Sequence, residues 1–204
     1  MGLDGRSVSE LWRDYSEKIA EAKDRESRSR FEAFIDSENE MIGEFEVVPL
    51  TLRKYSILSV SNFWQDSDSR VPILRFLWVM SPDFSTSPTE AKEFINDHWN
   101  CQFEGYSVEI NNFINRFFYF SPAKSVKAKS KGSGEWISNM VDIFASEYGW
   151  TEDQILDLRL DRLFLYLQRI RSRNSKDAIE FSSEADKLQQ EFMDIVNNKP
   201  TGRN

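Results

Sequence analysis

His98 and Cys101 are the only histidine and the only cysteine of the chain, and they form an H-x-x-C pattern beside Asp97. Imidazole and thiolate are favoured zinc ligands, but a zinc site needs three or four ligands at recognised spacing. We therefore expect His98 to lie on a helix face, Cys101 to be buried, and no metal to be bound. Nothing in the sequence pairs a Ser or Cys nucleophile with His98 and an orienting acid, so no nucleophilic catalysis is predicted.

Two further patterns bear on ligand binding and catalysis. Gly132, Ser133 and Gly134 form a glycine-rich run, but no strand pattern precedes it and no Lys-Ser or Lys-Thr follows it, as a phosphate-binding loop requires. This run is interpreted as a hinge. Asp153 and Asp157 lie one helical turn apart, where acid pairs usually form a solvated face. The sequence therefore predicts no catalytic residue and no cofactor, and the chain is expected not to be an enzyme.

A cluster of basic residues near the C-terminus raises the question of DNA binding. It consists of Arg159, Arg162, Arg169, Arg171, Arg173 and Lys176, and a helix-turn-helix around Gly149 is conceivable. However, three aspartates interleave with these arginines, and the chain holds 34 acidic against 26 basic residues, a net charge of −8. Because this charge repels phosphate, no nucleic-acid partner is expected, and a DNA-binding regulator is the least favoured alternative.

The elements that would position these residues are predicted to be helices. Only 8 Gly and 6 Pro occur among 204 residues, which favours helices over a loop-rich β fold. Three capping boxes mark helix starts, at Ser7–Glu10, Ser87–Glu90 and Thr151–Gln154, and Gly149 is predicted to end a helix. The predicted fold class is all-α, with a compact multi-helix core and peripheral N- and C-terminal amphipathic helices.

Two segments in the middle of the chain need individual interpretation. Residues 71–80 are apolar on nearly every side, which predicts a central buried helix, with a buried strand as the alternative. Pro72 favours the helix, because proline is common in a first helical turn. Residues 45–48 alternate weakly and predict a short strand that ends before Pro49.

The predicted organisation has five parts. They are an N-terminal amphipathic helical arm (1–43), a first helical core half (44–120), a flexible Lys-rich linker (121–134), a second helical core half (135–174), and a C-terminal heptad helix and tail (175–204). The linker is inferred because Val126 is its only large apolar residue.

Both terminal segments carry apolar stripes at helical spacing. The C-terminal stripe, spaced by alternating steps of three and four, consists of Ala178, Phe181, Ala185, Leu188, Phe192 and Ile195. The N-terminal stripe has a similar rhythm. These helices are expected to pack on each other, on the core or on another protein, and oligomerisation through them is one alternative.

Aromatic residues are abundant, with 16 Phe, 6 Trp and 6 Tyr, and aromatic side chains are favoured anchors of protein interfaces. The run from Phe117 to Phe120 cannot place all of its rings on one side of a helix. Its candidates for partner contact are Phe117, Phe118 and Phe120, with core packing as the alternative. Phe63 and Trp64 lie in a polar loop and are further candidates, with packing onto the core equally open.

Two stretches carry distinctive helix-packing and capping signatures. The first is Pro49–Lys54 (PLTLRK) followed after a gap by Leu74–Phe84 (LRFLWVMSPDF). The second is Tyr148–Asp157 (YGWTEDQILD), which continues into Leu163–Leu167 (LFLYL). Both resemble stretches of the small helical tail assembly chaperones of bacteriophages.

The resemblance implies a non-enzymatic helical protein that keeps the long, apolar tape-measure protein soluble in the host cytoplasm. Tail tube subunits then polymerise around the tape measure, so the implied partners are the tape-measure protein and the tail tube protein. The family brings no catalytic residue, metal or cofactor. Residues 1–43 and the segment after Asn174 resemble additions to the family pattern, so a structural component that stays in the virion tail is the main alternative. No apolar run is long enough to span a bilayer, and no membrane is expected.

Overall fold

The computed structural model describes residues 7–35, 38–60, 69–120, 133–174 and 184–197. Within these ranges the chain forms nine helices and one two-stranded hairpin, which confirms the predicted all-α class. The fold divides into two compact units, one made of Met1–Ile35 with Ser175–Asn204 and the other of Asp36–Asn174. None of the helices in the described ranges is both long and apolar enough to cross a membrane.

The smaller unit is an antiparallel pair of helices, α1 (Val8–Phe34) and α9 (Glu184–Asn197). The predicted capping box is present, because the Ser7 hydroxyl accepts from the backbone N–H of Glu10 and the Glu10 carboxylate accepts from that of Ser7. The Phe192 ring lies 4.9 Å from the ring of Trp12. Of the alternatives for the two terminal stripes, the structure therefore shows packing on each other. Ala178 and Phe181 of the predicted heptad lie outside the described residues.

The larger unit contains the hairpin and seven helices. Their bounds are β1 (Glu40–Ile42), β2 (Phe45–Val47), α2 (Leu52–Val60), α3 (Arg70–Met80), α4 (Pro88–Asp97), α5 (Tyr106–Phe117), α6 (Ser133–Tyr148), α7 (Glu152–Leu156) and α8 (Leu160–Asn174). Helix α3 is the predicted central helix, and seven of its 11 residues are buried. The helical interpretation of residues 71–80 is therefore confirmed.

Local capping signals set several of these helix ends. Thr151 and Gln154 form the complete predicted capping box of α7. At α4 the box is only half formed, because the Ser87 hydroxyl accepts from the N–H of Glu90 while the Glu90 carboxylate bonds to the Ser85 hydroxyl instead. Gly149 ends α6 as predicted, with a φ of +67° and its N–H donated to the carbonyl of Ala145.

The hairpin is fastened to α5 through its turn. Gly43 has a φ of +56°, a region that favours glycine. Its N–H donates to a Glu109 carboxylate oxygen at 2.9 Å, and the N–H of Glu44 donates to the Tyr106 hydroxyl at 3.3 Å. The turn at Gly43 thus fixes both strands against α5.

Two predicted boundaries differ from the structure. The larger unit begins at residue 36 rather than 44, because β1 pairs antiparallel with β2 and buries Ile42 with it. At the other boundary, Ser133 and Gly134 belong to the first turn of α6 rather than to a hinge. Residues 121–132, the rest of the predicted linker, lie outside the described residues.

Candidate protein-interaction site

The H-x-x-C pattern has a structural role in the fold. His98 is the C-cap residue of α4, and its Nδ1 lies 2.8 Å from the Phe94 carbonyl. Partial desolvation raises the pKa of the Cys101 thiol, and its hydrogen bond to Glu44 acts in the same direction. A raised pKa disfavours the thiolate that a nucleophile or metal ligand needs. Among the described residues, no group of three or more His, Cys, Asp or Glu could hold a metal ion.

The predicted acid pair on α7 is held by an arginine distant in sequence. Asp153 and Asp157 both accept hydrogen bonds from Arg53 of α2, at 2.8 Å and 2.6 Å. These two ion pairs raise the pKa of Arg53 further above its usual value. Because Asp153 is 86% exposed, each bond stabilises the fold only modestly, by less than about 1 kcal/mol.

Residues 49–54 also contact the turn that follows α7. The N–H of Leu52 donates to the carbonyl of Leu158, and the N–H of Leu160 donates to the carbonyl of Leu50. The Pro49–Lys54 segment therefore pairs with the turn between α7 and α8. We call this contact the α2–α8 junction.

An enclosed ion pair adds to the junction from the α8 side. Arg159 and Asp161 lie 2.6 Å apart with side chains only 13% and 11% exposed. The guanidinium of Arg159 also lies 5.7 Å from the centre of the Phe117 ring. Asp161 compensates the partly buried charge of Arg159, because such a charge is costly without a partner. The contact between Arg159 and Phe117 joins the start of α8 to α5.

Lys54 is the most perturbed amine near the junction. Burial lowers its pKa to about 8. Its ammonium donates a hydrogen bond to the Val79 carbonyl at the end of α3 and lies 4.7 Å from the centre of the Phe84 ring. Lys54 therefore connects α2 to the end of α3 and to the turn that follows it (residues 81–84).

The predicted aromatic contact residues of the Phe117–Phe120 run are packed inside the larger unit. Phe117 and Phe120 are each 4% exposed, so the structure favours core packing, the other reading of this run. Phe118 is partly buried and its ring lies 5.4 Å from Tyr55 and 5.5 Å from Phe164. Phe63 and Trp64 lie outside the described residues.

A second set of aromatic rings in the larger unit is also only partly buried. It consists of Tyr148, Trp150 and Tyr166, and the first two stack on the fully buried Phe144. Tyr148 and Trp150 stack at 4.8 Å, and the ring of Tyr166 meets them edge-on at 5.9 Å and 5.5 Å. We call Tyr148, Trp150 and Tyr166 the aromatic corner, and it is the strongest candidate for a partner-binding surface.

The aromatic corner depends on the turn at Gly149. The positive φ of this glycine reverses the chain between Tyr148 at the end of α6 and Trp150 before α7. The two side chains can then stack although they are only two residues apart. The sequence analysis did not identify this corner, although a pair of aromatic residues flanking the helix-ending Gly149 is a signal for it.

An open groove between β1 and α5 is a second, weaker candidate. It has a volume of about 400 Å³ and is lined by Glu40, Met41, Ile42, Glu109, Asn112, Phe113 and Arg116. Its charged groups already have partners within the fold, because Arg116 pairs with Glu40 and Glu109 accepts the N–H of Gly43. Little ligand-binding capacity is left in it.

A scan against protein-family models and searches of curated proteins and of solved structures found no match to this chain.

Proposed function

We propose that this chain is a non-enzymatic bacteriophage tail assembly chaperone that keeps the helical tape-measure protein soluble in the host cytoplasm. The observation that carries the proposal is the aromatic corner. The buried ring of Phe144 stacks on Tyr148 and Trp150, and these two rings in turn hold Tyr166. Rigid aromatic surface of this kind is suited to receive the apolar face of an amphipathic helix.

The position of the resemblance stretches supports the proposal in a second way. Residues 49–54, 74–84 and 148–157 are far apart in sequence, yet side-chain hydrogen bonds join them, from Arg53 to Asp153 and Asp157 and from Lys54 to the Val79 carbonyl. Tyr148 and Trp150 precede the α7–α8 turn of the α2–α8 junction in the chain and are separated from it by α7, whereas Tyr166 follows it within α8. The segments similar to the chaperone family therefore build and brace the surface to which we assign partner binding.

The net charge of −8 supports a role as a holding protein as well. A surplus of like charge on the chaperone keeps a complex with an apolar client dispersed.

The test is co-expression with the long helical tape-measure protein, which this proposal expects to be encoded next to the gene for this chain. We expect the long protein to move from the insoluble to the soluble fraction when this chain is present, and to co-purify with it. An unchanged soluble fraction would contradict the chaperone function. Purified phage particles supply the second measurement, because recovery of this chain in them would favour the alternative of a structural tail component.

A further inference from the structure

Helix α8 is basic although the chain as a whole is acidic. It contains four arginines, Arg162, Arg169, Arg171 and Arg173, against one aspartate, Asp161. The side chain of that aspartate is only 11% exposed and is paired with Arg159. The solvent-facing charge of α8 is therefore positive.

Three of these arginines share a face with the aromatic corner. Arg162, Tyr166, Arg169 and Arg173 follow one another at intervals of four, three and four residues, so they lie on one stripe of the helix. We call this set the arginine stripe. Tyr166 belongs to both the stripe and the corner, and Arg173 is paired with Glu147, the residue before Tyr148.

The aromatic corner and the arginine stripe together define what kind of partner this surface can bind. Apolar rings bordered by guanidinium groups complement a helix whose apolar side chains are flanked by carboxylates, since arginine binds carboxylates through two parallel hydrogen bonds. We propose that the aromatic corner and the arginine stripe together dock an amphipathic helix of a partner protein with acidic residues beside its apolar stripe. The proposal rests on the chaperone function and specifies the client helix.

The alternative ligand for aromatic and basic residues is a single-stranded nucleic acid. Base stacking needs open ring faces, but Trp150 already stacks on both Tyr148 and Phe144, at interplanar angles of 23° and 5°. The observations therefore favour a protein helix, and nucleic acid becomes an outcome of the test.

The test measures binding of fluorescent synthetic peptides of about 20 residues to the full-length protein. One peptide has leucines at helical spacing flanked by glutamates, and the other has lysines in place of the glutamates. We expect the glutamate peptide to bind about tenfold more tightly at low salt. Equal affinity for the two peptides, or tighter binding of a single-stranded oligonucleotide, would overturn the proposal.

Arg169→Glu is the informative variant, because Arg169 is exposed on α8 and its replacement leaves the core intact. Lys92→Glu makes the same change of charge at an exposed position of α4 and serves as its matched control. Arg169→Glu is expected to weaken binding of the glutamate peptide about fivefold or more, and Lys92→Glu to leave it unchanged. Equal effects of the two variants would show that net charge, not this surface, determines binding.

Repeating the co-expression with Arg169→Glu tests the docking surface separately from the chaperone function. If the wild-type chain and Arg169→Glu solubilise the long helical protein equally well, the chaperone function stands and the docking surface is wrong. If the wild-type chain fails to solubilise that protein but binds the glutamate peptide through Arg169, the docking surface stands and its natural partner is a different helix.

Discussion

The two compact units differ greatly in how much apolar surface they bury. The larger unit has a continuous cluster of 25 buried side chains, and Phe76, Phe144 and Phe164 are its largest fully enclosed members. Among the described residues of the α1–α9 pair, the core cluster consists of Ile19, Ala22 and Ala185, and Leu11, Ala33 and Phe192 are also buried. Since hydrophobic stabilisation scales with buried apolar area, the larger unit supplies most of the stability and α1–α9 opens more readily.

Helix α1 compensates in part with local charge pairs. Arg25, Arg28 and Arg30 each pair with an acid four residues earlier, at Glu21, Asp24 and Glu26. Such solvent-exposed pairs stabilise a helix only slightly. The comparison teaches that an apolar stripe predicts a helix well but says little about how deeply that helix is buried.

The largest expected effect tests the core of the larger unit. Phe76 is fully buried and its ring meets Phe113 edge-on at 6.1 Å. Phe76→Ala is expected to lower the free energy of unfolding by about 3–5 kcal/mol, because it removes apolar contacts and leaves a cavity. Urea denaturation followed by circular dichroism measures the loss. Val108→Ala, at a position 61% exposed on α5, is the control and should change stability by less than about 0.5 kcal/mol. Equal losses in the two variants would show that burial of Phe76 does not contribute to the stability of the larger unit.

A smaller effect is expected in the α1–α9 pair. Phe192 is 8% exposed and contacts the rings of Trp12 and Tyr15. Phe192→Ala should cost about 1–3 kcal/mol locally and speed amide hydrogen exchange in α9, while amides of α3 keep the wild-type rate. Met193→Ala, at the neighbouring position that is 44% exposed, should leave exchange in α9 nearly unchanged. Equally faster exchange in α3 would argue against two separate levels of stability.

The smallest effect concerns a polar group within the larger unit and depends on pH. Burial lowers the pKa of Lys54 from 10.5 to about 8. Between these two pH values the unfolded chain binds a proton that the folded chain has released, so this group makes stability rise with pH across that window. Below a pH of about 8 the cost of the buried ammonium is fully present. Because Lys54 keeps some contact with water, we expect the effect to be only about 1 kcal/mol.

Lys54→Met isolates this contribution, since methionine keeps an apolar stem and cannot ionise. The stability of the wild type relative to Lys54→Met should increase by about 1 kcal/mol as the pH rises from about 8 to about 10. Thermal unfolding at several pH values measures this difference. Lys92→Met, at an exposed position, should show no such trend relative to the wild type. A constant difference for Lys54→Met would mean that burial does not perturb this amine.

Features encoded within a few residues could be predicted from the sequence. The caps at Ser7 and Thr151, the helix end at Gly149 and the buried helix over 71–80 all follow from local backbone chemistry or local composition. The strand at 45–48 was also indicated by its alternation, and the structure places β2 at Phe45–Val47.

Features that depend on long-range contacts could not be predicted. β1 consists of three residues and is stabilised by pairing with β2, so its own sequence carries almost no signal. The link from Arg53 to Asp157 joins positions 104 residues apart, and no spacing rule predicts it. The aromatic corner was missed for the same reason, because Tyr166 reaches Tyr148 and Trp150 only through the packing of α8.

Gly43 shows how a single position can become irreplaceable. A methyl group added at position 43 would overlap the ring of Tyr106, and the positive φ of this position would strain any other residue. Gly149 also has a positive φ, but open space surrounds it, so asparagine is a tolerable replacement there. Among proteins descended from a common ancestor with this chain, position 43 should therefore have remained glycine for as long as Tyr106 was retained, while position 149 could also have become asparagine.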